Sequence, residues 1–291
     1  MNCVNLWQER MNLLVLSSGI MTKYMRLALL LLFPLSLAIA MGCDRKKGAE
    51  AELLAFDSAH LEQYIPLRTD TDRPALQVII KYVYPSEDKV LTEIFNGLLF
   101  GDSLMDAPSP VNAMEGFVRV LGEDYRSNNA EASLQGLPAD LLDYVYKIEN
   151  TIAYCDTGMV ATRINIYTYE GGAHPENTVR FANVLRSSGK VLEERDIFKG
   201  DYTERLSALI VEQLVRDFGK SSPSELDAIG FFNAEEIQPN GNFMADDKGL
   251  TYCFNEYQIA AYARGAVYVR LGYDVLAPLL RDDSPLKRYI P

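Results

Sequence analysis

Between Leu141 and Gly172 the chain reads LLDYVYKIENTIAYCDTGMVATRINIYTYEGG, and no other segment restricts the fold as strongly. Two long runs rich in Tyr, Ile, Val and Thr flank Asp156-Thr157-Gly158, a turn signal suited to a hairpin. Strands of that length joined so tightly must pair antiparallel, and the rest of the chain must cover them. TVRFANVLRSSGKVL follows with two further extended stretches about a Ser-Ser-Gly-Lys turn, and NFMADDKGLTYCFN reads as another hairpin. AVYVRLGYDVLAPLL then reads as a strand running into a short final helix.

Helical patterns lie between these blocks. Before the hairpin, Pro74 to Pro85 is apolar at both phases in its middle, as a strand buried on two faces would be. In SEDKVLTEIFNGLLFG, Ser86 is the expected cap, and Val90, Leu91, Ile94, Phe95 and Leu98 form a helical stripe. SPVNAMEGFVRVLGEDY predicts a second helix with Pro110 in its first turn and Met114, Phe117, Val118 and Leu121 inward. DYTERLSALIVEQLVRDFG predicts a third. There Asp201 and Glu204 have capping-box spacing, Leu206, Leu209, Ile210 and Leu214 share a face, and Gly219 is the stop. Strands and helices come in blocks, so the fold class is α+β with mainly antiparallel sheet. The reading divides the chain into a small α+β domain over 71–141 and a larger one over 142–284.

The amino terminus carries a different signal. Leu27 to Met41 is an apolar run preceded by Lys23 and Arg26, too short to span a bilayer, which needs about 20 apolar residues. A basic flank, a short apolar core and small residues at the end mark a secretory signal peptide. Its last residues, AIAMGC, resemble a bacterial lipobox, in which Cys43 would be lipidated and become the mature first residue. The reading is a signal peptide over 21–42 preceded by an over-extended start over 1–20, with a charged tether over 43–70. The only tryptophan, Trp7, falls in that start and is set aside.

Composition narrows the partners. A formal charge of −12 repels nucleic acid and anionic lipid and favours a basic partner, or serves solubility alone. In an exported chain the two body cysteines, Cys155 and Cys253, are either one disulfide or two buried thiols.

The segment most suggestive of chemistry is YTYEGGAHPENT, Tyr167 to Thr178. His174 has no second histidine at metal-ligand spacing, and the other histidine, His60, lies in the expected tether, so no metal or other cofactor is expected. No G-x-S-x-G, P-loop, dinucleotide fingerprint or EF-hand pattern occurs. Paired carboxylates carry no signal among 40 acidic residues. A shaped turn accounts for the segment: Gly171 and Gly172 permit positive φ or close approach, and His174-Pro175 fixes an extended exit.

These motifs, with VLRSSGKVLEERDIF, Asn242-Phe243 and FNEYQIAAYARGAVYVRLGYDVLAPLL, resemble a known family. It is the exported domain shared by the lysozyme-binding anti-sigma factor RsiV and the N-terminal region of the peptidoglycan deacetylase PdaC. The resemblance covers about Tyr144 to Leu280, with Glu170 in place of a small polar residue and Ala261 in place of a frequent proline. It implies an envelope domain that binds and does not catalyse, with a basic protein such as lysozyme, or cell-wall fragments, as partner. The membrane would be reached through the lipid anchor. Tyr169, His174, Tyr257 and Tyr262 are the candidate recognition residues. The alternative is a cell-wall hydrolase working through His174 and Glu170.

Overall fold

The structure is a computed structural model and describes residues 54–290. The expected leader, the Cys43 lipidation site and the first part of the tether lie outside the described residues.

The hairpin forms as the sequence demands. Strand β3 (Tyr144–Cys155) pairs antiparallel with β4 (Met159–Tyr169), and β5 (Glu176–Leu185) pairs antiparallel with β4. Asp156 shapes the β3–β4 turn, its Oδ1 accepting from the amides of Gly158 at 2.7 Å and Met159 at 2.9 Å. Two earlier strands extend this sheet, β1 (Phe56–Pro66) and β2 (Ala75–Pro85), giving the order β1-β2-β3-β4-β5. Only the β2–β3 pairing is parallel. A parallel pairing needs a crossover, and two helices supply it: α1 (Lys89–Phe100) and α2 (Pro110–Leu134).

This sheet corrects two boundaries. The expected tether contains β1, whose Ala59, Leu61 and Ile65 alternate inward and so carry a period-two signal. The expected division at residue 141 falls between adjacent strands of one sheet, because the chain returns from the crossover to lie beside β2. The two halves therefore share a layer. Their cores lie on its opposite faces.

One face packs on α1 and α2. Val78, Ile80, Ile148, Val160 and Ile164 join Leu91, Phe95, Leu99, Met114 and Val118 in this first core. Tyr82 is fully buried there, and its hydroxyl donates to Asn96 Oδ1 at 2.9 Å, so its polar end costs little. The α1 cap is Asp88, accepting from Leu91 N at 3.0 Å, in place of Ser86, which sits outside the helix. Val90, expected inward, is 56% exposed. Helix α2 is capped by Ser109 and runs past the expected end at Tyr125. Buried Asn129 supports the extension, donating to Tyr125 O at 2.8 Å and accepting from Tyr144 Oη at 3.0 Å.

The second core gathers on the other face at one end of the sheet. A bulge between Ile152 and Tyr154 reverses the phase of β3, so that Tyr154 points into this core together with Met159 and Ala161 of β4. Covering them are α3 (Glu194–Ile197), α4 (Tyr202–Asp217), α5 (Pro223–Asp227) and a second sheet. That sheet has the order β6 (Phe243–Ala245), β7 (Gly249–Phe254), β8 (Val267–Gly272), all antiparallel, with α6 (Tyr273–Leu276) following. The predicted face of α4 is buried as expected. Asp201 precedes α4 without a side-chain capping bond, and the capping box forms instead at Glu193 and Asp196 on α3. The stretch after the Ser-Ser-Gly-Lys turn is reduced to one bridge, Val184 with Val191.

Cys155 and Cys253 are buried thiols and do not form a disulfide. Cys155 belongs to the first core, whereas Cys253 lies on β7 of the second sheet. Burial pushes the Cys253 thiol up to about 11. No helix among the described residues is long and apolar enough to cross a membrane.

Candidate functional site

Two loops build the site. The first joins β4 to β5 and contains Glu170 to Pro175. Gly171 has φ 74°, and a Cβ there would stand 2.2 Å from the carbonyl oxygen of Leu141. Only glycine fits that approach. Gly172 is different, with nothing nearer its Cβ position than His174 O at 3.9 Å. The tight bend thus belongs to Gly171 alone. It turns the chain over the end of β3 and carries His174 toward the second sheet.

The second loop joins β7 to β8. Ile259 and Ala260 are buried and anchor it, and Ala260 bridges to Phe231. Tyr257 stands at φ 65°, a left-handed conformation unusual for a tyrosine, and is 58% exposed. A 3-10 turn over Tyr262–Arg264 ends at Gly265, φ 69°.

The loops meet through their rings. His174 stacks on Tyr262 with centroids 4.1 Å apart and planes 24° from parallel. Tyr257 completes the cluster, stacked 5.5 Å from Tyr262 and tilted 6.5 Å from His174. The Tyr262 hydroxyl donates to Pro175 O at 3.1 Å, and His174 Nδ1 lies 3.3 Å from the same oxygen. Partial desolvation, the Glu256 charge and the neighbouring Tyr257 and Tyr167 hold the Tyr262 phenol above its ordinary value. Glu256 also crosses to the start of β5, accepting from the backbone and side chain of Asn177, each at 3.4 Å.

Of the predicted residues, the structure brings together His174, Tyr257 and Tyr262. Tyr169 ends β4 opposite Val145, and no ring contact joins it to the stack among the described residues. Glu170 is exposed, with no hydrogen bond or ion pair to His174 among the described residues. Nor does any group of three or more His, Cys, Asp or Glu side chains there stand close enough to hold a metal.

Sequence reasoning missed the asparagines that hold these loops in place. Strand β5 would end the first sheet with open backbone groups. Asn255 Oδ1 accepts from Val179 N and Asn242 Oδ1 from Phe181 N, both at 2.8 Å. Both side chains also donate to Val179 O. From β5, Asn183 donates to Phe243 O and accepts from Ala245 N. Side-chain amides therefore join the two sheets where no strand pairing does. The signal was Asn recurring in VRFANV, GNF and FNEY.

Comparisons place this architecture among known proteins. Residues 195–274, from α3 to α6, match the family model described as protein of unknown function, DUF3298. Tyr257 and Tyr262 lie inside the match, whereas His174 precedes it. A crystal structure of a DUF3298 family member from Bacteroides fragilis is similar, with 27% identity and a TM-score of 0.74, covering 81% of this chain and 97% of its own. A DUF3298 family protein from Pseudomonas aeruginosa shares the fold at 15% identity and a TM-score of 0.57, covering 80% and 97%. No curated protein matches the chain.

Proposed function

We propose that this protein is a lipid-anchored envelope module that binds a basic partner protein of the lysozyme type, without a catalytic centre of its own. The observation that carries this reading is the stack of exposed His174 and Tyr257 with half-buried Tyr262, formed by two loops that also carry Glu170 and Glu256, the latter charge acting on Tyr262. Rigid aromatic side chains give large contact area at small entropic cost, and an acidic border selects a cationic partner. The left-handed Tyr257 fits the same reading. Its backbone is held in a costly conformation so that its ring stands out of the loop, 58% exposed.

Orientation supports presentation to a partner. The described chain enters the first sheet through β1, whose Phe56 lies beside Pro85 and whose Pro66 lies beside Ala75. Leu76 pairs with Tyr144, Val145 with Tyr169, and Thr168 with Glu176, so the aromatic loop sits at the Pro66 end. The length of β1, roughly 35 Å for such a strand, separates this end from the entry point. An anchor at Cys43 would leave the stack facing away from the membrane.

Titration calorimetry of the full-length protein in neutral detergent against a c-type lysozyme tests the reading. Binding is expected, with Tyr257→Ala weakening it by about tenfold or more, as for a buried aromatic anchor. Failure of the folded protein to bind any c-type lysozyme, or equal binding by Tyr257→Ala, overturns it. Mass analysis of the amino-terminal peptide for a diacylglyceryl group on Cys43 tests the anchor separately.

A further inference from the structure

The first sheet has one face covered by α1 and α2, while the second core covers only part of the other. The remainder is an open groove of about 600 Å³ that crosses all five strands. Strand register lays out its floor. One rung runs His60, Lys81, Glu149 and Asn165, each opposite the next. The adjoining rung runs Glu62, Ile79, Lys147, Tyr167 and Asn177. Arg163 follows on β4 and reaches β8, where its Nη2 donates to the Tyr268 hydroxyl at 2.9 Å.

Two features of this floor bear on what it binds. Several cations of the described residues are held by carboxylates, Arg68 by Asp70 and Arg270 by Asp246 among them. Lys81 follows that pattern, 3.6 Å from Glu149. Lys147 and Arg163 do not. The Lys147 ammonium lies over the Tyr167 ring at 4.9 Å, and Arg163 Nε donates to Asn165 Oδ1 at 2.9 Å. Neither forms an ion pair among the described residues. Two cations without an ion-pair partner among these residues, against the one unpaired carboxylate of Glu62, leave the groove floor attractive to an anion.

The second feature is that the groove is read by side chains alone. It crosses the strands over the face of the sheet, where the floor's backbone groups are turned sideways into the ladders. A peptide recognised by strand addition needs an open edge, which this face does not offer. Carboxylates that accept, amides that donate and accept, and a ring among them match hydroxyl groups, each of which is both donor and acceptor. A ligand satisfying the cations and the amides together is a sugar chain bearing acid groups.

We propose that this groove is a second binding site, taking an acidic oligosaccharide with separate carboxylates for Lys147 and for Arg163, which stand four residues apart along the strands, while its hydroxyls meet Glu62, Asn165 and Asn177. The site adjoins the His174 stack through Tyr167 and Asn177 but uses other charged groups, and it goes beyond the reading above. Four inter-strand steps give about 19 Å of floor, enough for a short oligomer.

The test is calorimetry of the full-length protein in neutral detergent with trigalacturonate, maltotriose and tetraglutamate. Trigalacturonate is expected to bind about tenfold or more tighter than either of the others, the worth of one charge-assisted contact. Lys147→Gln, at an exposed position that leaves the fold intact by circular dichroism, is expected to weaken it about tenfold. Tyr257→Ala is expected to leave it unchanged, whereas lysozyme binding should respond in the opposite way to the two substitutions. Absence of trigalacturonate binding by the folded protein, an unaffected Lys147→Gln, or tetraglutamate binding as tightly as trigalacturonate overturns the proposal.

Discussion

The imidazole of His174 lies flat on the ring of Tyr262, 4.1 Å between centroids, and both side chains reach the same carbonyl oxygen of Pro175. One ring comes from the first sheet and the other from the second, so the contact registers how the two sheets are placed. It depends on a single backbone position. Gly171 must pass within van der Waals distance of Leu141 O at φ 74° for the loop to bend back.

Gly171→Ala is therefore expected to cost about 2 kcal/mol, from left-handed strain and displacement of a backbone oxygen. Gly172→Ala should stay within about 0.5 kcal/mol, because its Cβ meets open space. Urea denaturation of the two variants checks this. Equal costs would mean that the bend is shared by both glycines.

Asn242 offers a harder test of the sheet-to-sheet contact. Its side chain accepts from Phe181 N and donates to Val179 O and Cys253 O. Removing it strands the partly buried amide of Phe181, whereas Val179 O keeps Asn255 and Cys253 O keeps Asn240. Asn242→Ala is expected to lose about 2–3 kcal/mol, whereas Asn177→Ala, at the exposed margin, should lose about 0.5 kcal/mol. Denaturant midpoints that match for the two variants would show that water replaces the amide without loss.

How far the sequence discloses this arrangement follows from the range of the forces involved. The hairpin about Asp156, the inward face of α4 and the β6–β7 hairpin are local patterns, and each was legible. The pairing of His174 with Tyr257 and Tyr262 could be expected only as a family resemblance. The shared sheet was hidden because the β2–β3 contact is parallel and spans two helices, a relation that no short window carries. Strand β1 was missed for another reason. Its Glu62, Gln63 and Tyr64 are exposed at the sheet edge, and their polarity read as tether. The asparagines were missed because a joining amide and a turn amide look alike in sequence.

The thiols give a third expected outcome. With Cys155 in one core and Cys253 fully buried in the other half, an aromatic disulfide reagent should leave both unmodified in the native protein. The raised Cys253 thiol adds to this protection, since the thiolate is the reacting form. After unfolding without reductant, both should react at once. Peptide mapping that finds a 155–253 bridge, or rapid native labelling at either position, would contradict the packing described.

Acid stability depends on Asp156. Its carboxylate closes the β3–β4 turn and also ties down the carboxyl-terminal segment, accepting from Tyr289 Oη at 2.6 Å and Arg288 Nη2 at 2.8 Å. Burial alone would raise this acid. The hydrogen bonds from Tyr289, Gly158 and Met159, with the Arg288 charge, outweigh it and hold the group below its ordinary value of 3.8. The unfolded chain then takes up the proton first, so the contribution is complete above the ordinary value and is lost as pH falls below it. Asp156→Asn is expected to cost about 2 kcal/mol at pH 7 and to flatten the decline of stability between about pH 5 and pH 2. Asp246, lowered likewise by Arg270 and two backbone amides against its own burial, should keep part of that decline. Tyr289→Phe should cost about 1 kcal/mol and preserve the decline in weaker form, since one of several donors is removed. Urea midpoints from pH 7 to pH 3 decide the matter: wild-type and Asp156→Asn profiles that run parallel would place the acid-sensitive group elsewhere.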